Sequence, residues 1–546
     1  MQSYLQYRRI RQEVQEDLIL AQQLAKRPVG STTSSSSPEP DNYSDKERGV
    51  TVPDGPASSL DAHFVPGVTI KPPEDNNGKT VFVVGWKEHD PTNPYEWSMA
   101  RKWLTTMTCC IIAIALTIPS SIDGATQEAF NIDHRINDMA GSMITGIFLI
   151  GVGVGSLFSG PFSETFGRNI IYFIAITLVM LFIMAKALAP NFGGALAFRF
   201  LCALFAATPM TVAGGTVGDI WTPMQITFGL PLMTICAYAG PIVGPVIGAY
   251  TPLIGYEWAD WISMIFTGAT LVVVILGQPE TYGPLLLEWR AKHMRDLTGD
   301  DRYQAEHASA SSLGSRLLVN VYRPFVMIWT EPIILVFSFY LILLYFILFT
   351  FLNGYPYIFA KVYGISVSMT FIIFVAMLPG VFVALVLVPF MYRLTKKAAA
   401  KAAAEGKALQ PEVSLYWAMA GASILMPISL FWMAWTCYPS ISIWSPIVAS
   451  GIFGYALVCI FTTSYMYIIF VYLQYAASAL GFMTFSRYVV AGALSPASVK
   501  MYENIGPHWS LTIVAIIATI MAPVPFMLYK YGHKIRAMSK NAVNKA

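Results

Sequence analysis

Apolar residues in this chain come in long unbroken runs, with the polar residues confined to the intervals between them. A helix needs about 20 consecutive apolar residues to cross a bilayer. Runs that meet this requirement lie near 103–123, 139–160, 170–189, 193–216, 225–252, 261–278, 332–353, 366–391, 413–436, 443–470, 473–498 and 509–530. The pattern predicts an all-α membrane protein with about twelve transmembrane helices. A long polar interval divides the runs into two groups. Two bundles of roughly six helices are therefore expected, over 101–280 and 332–531, joined by a central loop over 281–331. Residues 1–100 read as a polar, largely disordered N-terminal tail, and 532–546 as a short C-terminal one.

Within the first tail, YLQYRRIRQEVQEDLILAQQLAKR reads either as a short amphipathic helix on the membrane surface or as a fraying, partly helical segment. The serine-rich stretch 31–47 is of low complexity and is expected to be disordered. The first apolar run begins near Trp103, so the first span is expected to act as an uncleaved signal-anchor.

Composition agrees with the pattern. Hydrophobic residues make up 55 % of the chain and charged residues 12 %, against about 25 % charged in soluble domains. Mean hydropathy is +0.53. The net charge of +3 says less than its distribution. Among alternate gaps, counted from the first, only Arg135, Lys361 and Lys500 are basic. The central interval holds Arg290, Lys292, Arg295, Arg302, Arg316 and Arg323, and the gap after the eighth run holds Arg393, Lys396, Lys397, Lys401 and Lys407. The C-terminal end adds Lys530, Lys534, Arg536 and Lys540. Basic residues stay on the cytoplasmic side, so both termini and the central loop are expected there. No basic helix interleaved with aromatics is present, which argues against nucleic acid as a partner. Cys109, Cys110, Cys202, Cys236, Cys437 and Cys459 fall in or beside apolar runs, as buried free thiols would, and neither a metal site nor a cofactor is expected.

Three short segments carry candidate mechanism. GPFSETFGRN (160–169) supplies a tight turn through Gly160, Pro161 and Gly167, an acid, Glu164, and a base, Arg168. Asp219, in GGTVGDIW, is the natural partner for that base; the alternative is a plain interfacial turn with solvated charges. In LAFRFLCALFAATP, Arg199 lies inside the fourth run, where a charge usually faces a cavity or a partner. Arg487 lies mid-run in TFSRYVVAGALSP, whereas Lys186 sits nearer an end and is expected to snorkel. In GPIVGPVIG, Gly240, Gly244 and Gly248 share one helix face, with Pro241 and Pro245 beside it. Small residues at that spacing admit a close helix approach, and proline bends a helix. The expected product is a bent fifth helix whose glycine seam serves as a rocking surface between two halves.

Taken together and in order, these segments resemble those of the major facilitator superfamily, and within it the fungal twelve-span drug:proton antiporters. WKEHDPTNPYEWS (86–98), PETYGPLLLEWRAKHMRDLTGD, RPFVMIWTEPI, YAASAL and KIRAMSK are similar as well. The resemblance covers roughly 86–540. It implies two six-helix bundles around a central cavity, alternating access, and a monomer. Several residues depart from the family pattern, namely Asp123, Thr165, Asn169, Ala249, Glu257 and Phe470.

The energy source is narrowed by what the chain lacks. PEDNNGKT (73–80) has the Gly-Lys-Thr end of a phosphate loop, but Pro73 stands where its first glycine belongs, which argues against ATP hydrolysis. Neither HExxH nor paired catalytic carboxylates occur in the runs, so no enzyme activity is expected. Protons are then the expected coupling ion. Asp123 is the first candidate carrier, Arg199 its partner, and Glu128 the fallback. Cys236, Tyr238, Tyr345, Asn353, Tyr467, Gln474 and Arg487 are candidate liners of a substrate cavity. The leading expectation is proton-coupled efflux of an amphipathic small molecule across the plasma membrane. A transporter of a defined metabolite, such as an organic acid or polyamine, and a non-transporting sensor or scaffold are the alternatives.

Overall fold

The computed structural model describes residues 2–25, 65–71, 80–222, 224–306, 313–406, 409–472, 476–540 and 542. In chain order the elements are α1 (Gln2–Ala25), β1 (Val68–Lys71), β2 (Val81–Val84), α2 (Met99–Thr117), α3 (Pro119–His134), α4 (Asp138–Phe166) and α5 (Arg168–Ala187). There follow α6 (Phe192–Ile220), α7 (Ile226–Gly248), α8 (Trp258–Gly277), α9 (Gly283–Thr298), β3 (Tyr303–Ala305) and α10 (Leu313–Thr330). The last are α11 (Pro332–Tyr355), α12 (Val367–Ile372), α13 (Met377–Ala404), α14 (Ser423–Thr436), α15 (Trp444–Tyr472), α16 (Ala476–Met521) and α17 (Val524–Met538). They fall into two compact units.

The larger unit takes in 97–282 and 311–546 and is all-helical. Lipid offers no partner for backbone N–H and C=O groups, so each apolar run closes its own hydrogen bonds as a helix. Among the described residues, eleven segments are long and apolar enough to cross a membrane. The sequence windows 473–498 and 509–530 do not appear as two separate segments, because the last segment runs continuously over Ser478–Met538. It contains one non-helical residue, Gly506 (φ 76°, ψ 170°). The first span is interrupted differently: α2 ends at Thr117, and Pro119 opens α3 at the first-turn position that tolerates a missing N–H.

Polar side chains start and turn these helices. Ser98, Asn137 and Asn191 accept hydrogen bonds from the first-turn N–H groups of α2, α4 and α6. Between α4 and α5 the chain turns in a single residue, Gly167, at φ 89°, a conformation that excludes side chains. Glu280 caps the start of α5: its two carboxylate oxygens accept from the Arg168 and Asn169 N–H groups, each at 3.0 Å. A carboxylate there also meets the positive end of the helix dipole.

The two groups of helices meet along α4 and α16. Small residues permit backbone contact. A Cβ on Gly146 would lie 2.7 Å from the Gly492 carbonyl, and one on Gly153 would lie 2.8 Å from Val489. Further along, the Ser156 hydroxyl donates to the Gly481 carbonyl at 3.3 Å.

The smaller unit takes in 3–96 and 283–310. Where the sequence suggested a largely disordered tail, α1 is a formed helix; the serine-rich 31–47 lies outside the described residues. Ile10, Val14, Leu18 and Ala21 form one face of α1 and are buried with Phe82, Val84, Leu286, Leu287 and Met294. The amphipathic face therefore packs on protein. β1 and β2 are antiparallel, with Val68 opposite Val84, and β3 joins parallel to β2, with Phe82 opposite Tyr303. Arg290 of α9 ties this unit together, donating to Asp17 at 2.9 Å and to Asp90 at 2.6 Å. Burial pushes the Asp90 carboxyl up, but hydrogen bonds from Thr92 and the Arg290 charge outweigh it and hold the group below its ordinary range.

Glu280→Ala is expected to destabilise the protein by about 1–2 kcal/mol, the cost of a lost helix cap, and to lower its melting temperature in detergent. Glu280→Gln, which keeps one acceptor, should lose less. Arg290→Ala leaves two buried acids without their base, a change that costs roughly 3–5 kcal/mol. It should expose α1 in hydrogen exchange while the membrane helices keep their protection. Because Asp90 is held low when folded, its contribution to stability is present above about pH 4 and lost as the pH falls through the folded value. Acidification should accordingly loosen the smaller unit in the same exchange measurement.

Candidate functional site

Four charged side chains converge inside the first bundle. Asp123 lies one turn into α3, Lys186 near the end of α5, Arg199 in α6 and Asp260 at the start of α8. Asp123 Oδ1 lies 2.8 Å from Lys186 Nζ, and Oδ2 lies 2.7 Å from Arg199 Nη2. Lys186 also donates to both oxygens of Asp260, at 2.8 and 2.9 Å. All four side chains are buried, none more than 8 % exposed. Arg199 additionally donates to the Pro119 carbonyl, which the break between α2 and α3 leaves free, and stacks 4.4 Å from the Phe148 ring. Two acids and two bases make the cluster neutral as a whole. A recess of about 310 Å³, counting space open to solvent, reaches it and is lined by Asp123, Lys186, Asp260, Gln127 and Tyr256 among others.

The structure changes several sequence-based assignments here. Asp123 and Arg199 are paired as expected from their positions. Lys186 does not snorkel; it is the bridge between the two acids, because the α5 end packs inward against α3 and α8. Asp260 was not singled out from the sequence, although YEWADWI placed an acid at the start of an apolar run beside Glu257. Glu128 is exposed and stands apart from the cluster.

The GPFSETFGRN segment forms a clasp. Arg168 Nε donates to Asp219 Oδ2 at 3.0 Å, and Nη1 donates to Ser163 Oγ at 2.5 Å. Asp219 also accepts from the Thr281 hydroxyl at 3.2 Å, and the guanidinium lies 5.1 Å from the Tyr282 ring. Gly215 makes room, since a Cβ there would lie 2.9 Å from Arg168 Nη2. Glu164 feels the charges of Arg168 and Arg323 and, with Gly160, Pro161 and Ser478, lines a second recess. An equivalent clasp in the second group of helices escaped the sequence reading. Arg536, in KIRAMSK, donates to Glu412 at 2.6 Å and to Gln410 at 2.7 Å.

The glycine seam of α7 is used differently from the expectation. The helix runs unbroken through Pro231, Pro241 and Pro245. Gly240 abuts Thr117, Gly244 abuts Ser121 and the Ile118 carbonyl, and Gly248 abuts the Ile122 carbonyl. The seam thus seats α7 on the broken first span of its own bundle, next to Asp123, and is not the surface between the halves. That surface lies on the α7 flank carrying Tyr238, whose ring meets Phe461 of α15 edge-on at 5.3 Å.

Of the expected cavity liners, Tyr238, Tyr345 and Arg487 come together. Arg487 is held over Tyr345, Phe461, Tyr465 and Tyr488 at 4.7–5.2 Å. Phe461, Tyr465 and Tyr488 gave no sequence signal beyond being aromatic. Cys236 lies beside Cys110. Asn353 is tied to Ser498 at 2.8 Å. Tyr467 is fully buried and donates to Glu412 in the second clasp, so it belongs to that network. Gln474 lies outside the described residues.

Comparison with known proteins agrees with this architecture. The family model described as Major Facilitator Superfamily matches residues 104–496. The MFS-type transporter kojT of Aspergillus flavus is 40 % identical over 571 residues, covering 99 % of this chain and 100 % of that protein. The uncharacterized transporter mfs2 of Schizosaccharomyces pombe is 36 % identical over 467 residues, with 84 % of each chain covered. Two solved structures share the fold. The human organic anion transporter MFSD10 aligns with a TM-score of 0.52 at 14 % identity, covering 79 % of this chain and 100 % of that one. The proton:xylose symporter XylE aligns with a TM-score of 0.58 at 12 % identity, covering 80 % and 96 %. With paired helical clasps, a buried charge cluster and a family match over most of its length, this chain belongs to the Major Facilitator Superfamily of membrane transporters.

Proposed function

We propose that this transporter couples the entry of protons to the export of amphipathic small molecules, in the manner of the twelve-span drug:proton antiporters. It would act as a monomer in the plasma membrane with both termini cytoplasmic. Reading Gly506 as the turn between two spans completes the count, and 101–280 and 332–531 become the two rocking bundles, with 281–331 as the cytoplasmic connection.

The observation that carries this reading is the Asp123–Lys186–Arg199–Asp260 cluster. It is neutral with both acids ionised. One proton on either acid leaves a net positive charge in a site of low dielectric, with Lys186 and Arg199 both crowding the remaining carboxylate. Repulsion of that kind favours a conformation in which the bases separate, and a ligand that binds one state better shifts the balance toward it. The recess supplies a path for the proton. Each proton crossing 100 mV supplies about 2.3 kcal/mol, enough to sustain roughly a fifty-fold gradient of a neutral substrate. The Arg168–Asp219 clasp would hold one end of the bundle shut in one of the two states.

In vesicles with an imposed proton gradient, Asp123→Asn and Asp260→Asn are each expected to abolish uphill transport. Substrate counterflow, which needs no proton, should persist. Glu128→Gln should behave as the parent does. A panel of amphipathic acids, neutral compounds and amines in a transporter-deleted strain would supply the substrate. Undiminished uphill transport by both asparagine variants would refute the coupling role. For the clasp, Arg168→Asp and Asp219→Arg singly should slow transport about tenfold or more, equivalent to about 1.4 kcal/mol on the barrier. The double exchange should recover part of that rate.

A further inference from the structure

Five arginines are buried among the described residues: Arg168, Arg199, Arg290, Arg487 and Arg536. Four of them have carboxylate partners, namely Asp219, Asp123, Asp17 with Asp90, and Glu412. Arg487 is the exception. It is 3 % exposed and makes one hydrogen bond, from Nη2 to the Tyr465 hydroxyl at 2.8 Å. Its Nε and Nη1 have no acceptor. The four helices that build its surroundings, α7, α11, α15 and α16, contain a single acid, Glu503, more than four turns along α16.

What surrounds Arg487 is aromatic. Tyr345 of α11, Phe461 and Tyr465 of α15, and Tyr488 beside it present their rings to the guanidinium. Tyr238 of α7 closes the box from the other bundle by its contact with Phe461, and its hydroxyl, with those of Tyr345 and Tyr488, lies within the field of the same charge. Ring faces attract a cation by about 0.5–2 kcal/mol each, which offsets part of the cost of placing a charge there, about 2.5–3.5 kcal/mol at a helix centre on insertion scales. They do not neutralise it, and they accept no strong hydrogen bond from the two free nitrogens. A buried donor left without an acceptor costs about 1–3 kcal/mol. An oxyanion would meet both deficits at once, and planar guanidinium is well suited to carboxylates.

We propose that Arg487 and its aromatic box form an anion site between the two bundles, and that the transported substrates are small, planar, ring-bearing organic monoanions. The class follows from the geometry. One uncompensated positive charge calls for one negative charge. Flanking rings favour a flat conjugated partner that stacks among them. Because Tyr238 belongs to one bundle and Arg487 to the other, an occupant touches both, and its binding bears on their relative position. This assignment rests on the transporter reading above and narrows its substrates; it does not depend on which acid carries the proton.

The test uses the full-length purified protein in detergent, with benzoate, salicylate and indole-3-acetate as probes and benzamide as the uncharged control. The three acids are expected to raise the melting temperature saturably, and benzamide is not. Arg487→Gln should weaken benzoate binding at least about tenfold, the loss of one charge-assisted hydrogen bond, without lowering the ligand-free melting temperature by a comparable amount. Should the glutamine variant fail to fold, Arg487→Lys keeps the charge, and it should still bind the acids more weakly than the parent. Asp123→Asn should bind benzoate as the parent does. Benzamide binding as well as benzoate, unchanged benzoate affinity in both Arg487 variants, or no binding of any of the three acids would each overturn the proposal. Loss of benzoate binding in the Arg487 variants alongside undiminished uphill transport in Asp123→Asn and Asp260→Asn would sink the coupling scheme and leave the anion site standing. The converse pair of results would do the reverse.

Discussion

A charge enclosed by a membrane bundle must meet an opposite charge, or dipoles that do the same work. Removing an ion from water costs several kcal/mol even after the protein relaxes. That constraint organises much of this molecule. Lys186 is drawn inward between Asp123 and Asp260 where, by its position near a helix end, it had an open route to the interface. Arg168 with Asp219, and Arg536 with Glu412, pin the turns of the two groups of helices in the same way. Helix packing is set partly by these meetings, since α3, α5, α6 and α8 must all approach one point.

The close approach is allowed by small residues and by breaks. The interruption between α2 and α3 frees the Pro119 carbonyl for Arg199, and the glycine face of α7 lets that helix lie directly on the broken region. The α7 glycines and the charge cluster therefore belong to one construction. A change in protonation at Asp123 bears first on a joint whose backbone is already interrupted, and α7 transmits any shift of that joint to its other flank. That flank carries Tyr238, which meets the second bundle at Phe461. The proton cluster, the glycine seam and the aromatic box thus form a contiguous chain of packed groups.

A contrast between the two buried charge centres divides the labour. The four-member cluster is neutral and reached by a recess, which suits an ion that enters and leaves as a proton. Arg487 stands unneutralised among rings between the bundles, which suits a ligand that brings its own charge. In an orientation with the cell interior negative, an exported anion is itself driven outward, by about 2.3 kcal/mol per 100 mV. Proton entry and anion exit then act in the same direction on the membrane potential.

Much of this was legible along the chain because the bilayer imposes a one-dimensional rule. Every span must be apolar over a fixed length, so the helices and the motif turns around Gly167 could be read from composition alone. Single charges inside runs, such as Arg199 and Arg487, were conspicuous for the same reason. What the linear pattern could not contain was which charges meet. Asp260 looked like an interfacial acid, Lys186 like a snorkelling base and Arg536 like one of several basic residues near the end. Their roles depend on helix rotation and on contacts between residues as many as 124 positions apart. The α1 face and the α7 seam carried the same ambiguity, since an apolar or small-residue stripe specifies that something packs against it and leaves open what. Sequence by itself determined that these helices exist and where they start and stop, because backbone desolvation is a local cost. Only the tertiary structure decided the partners, because the energy of a buried charge depends on distance in space.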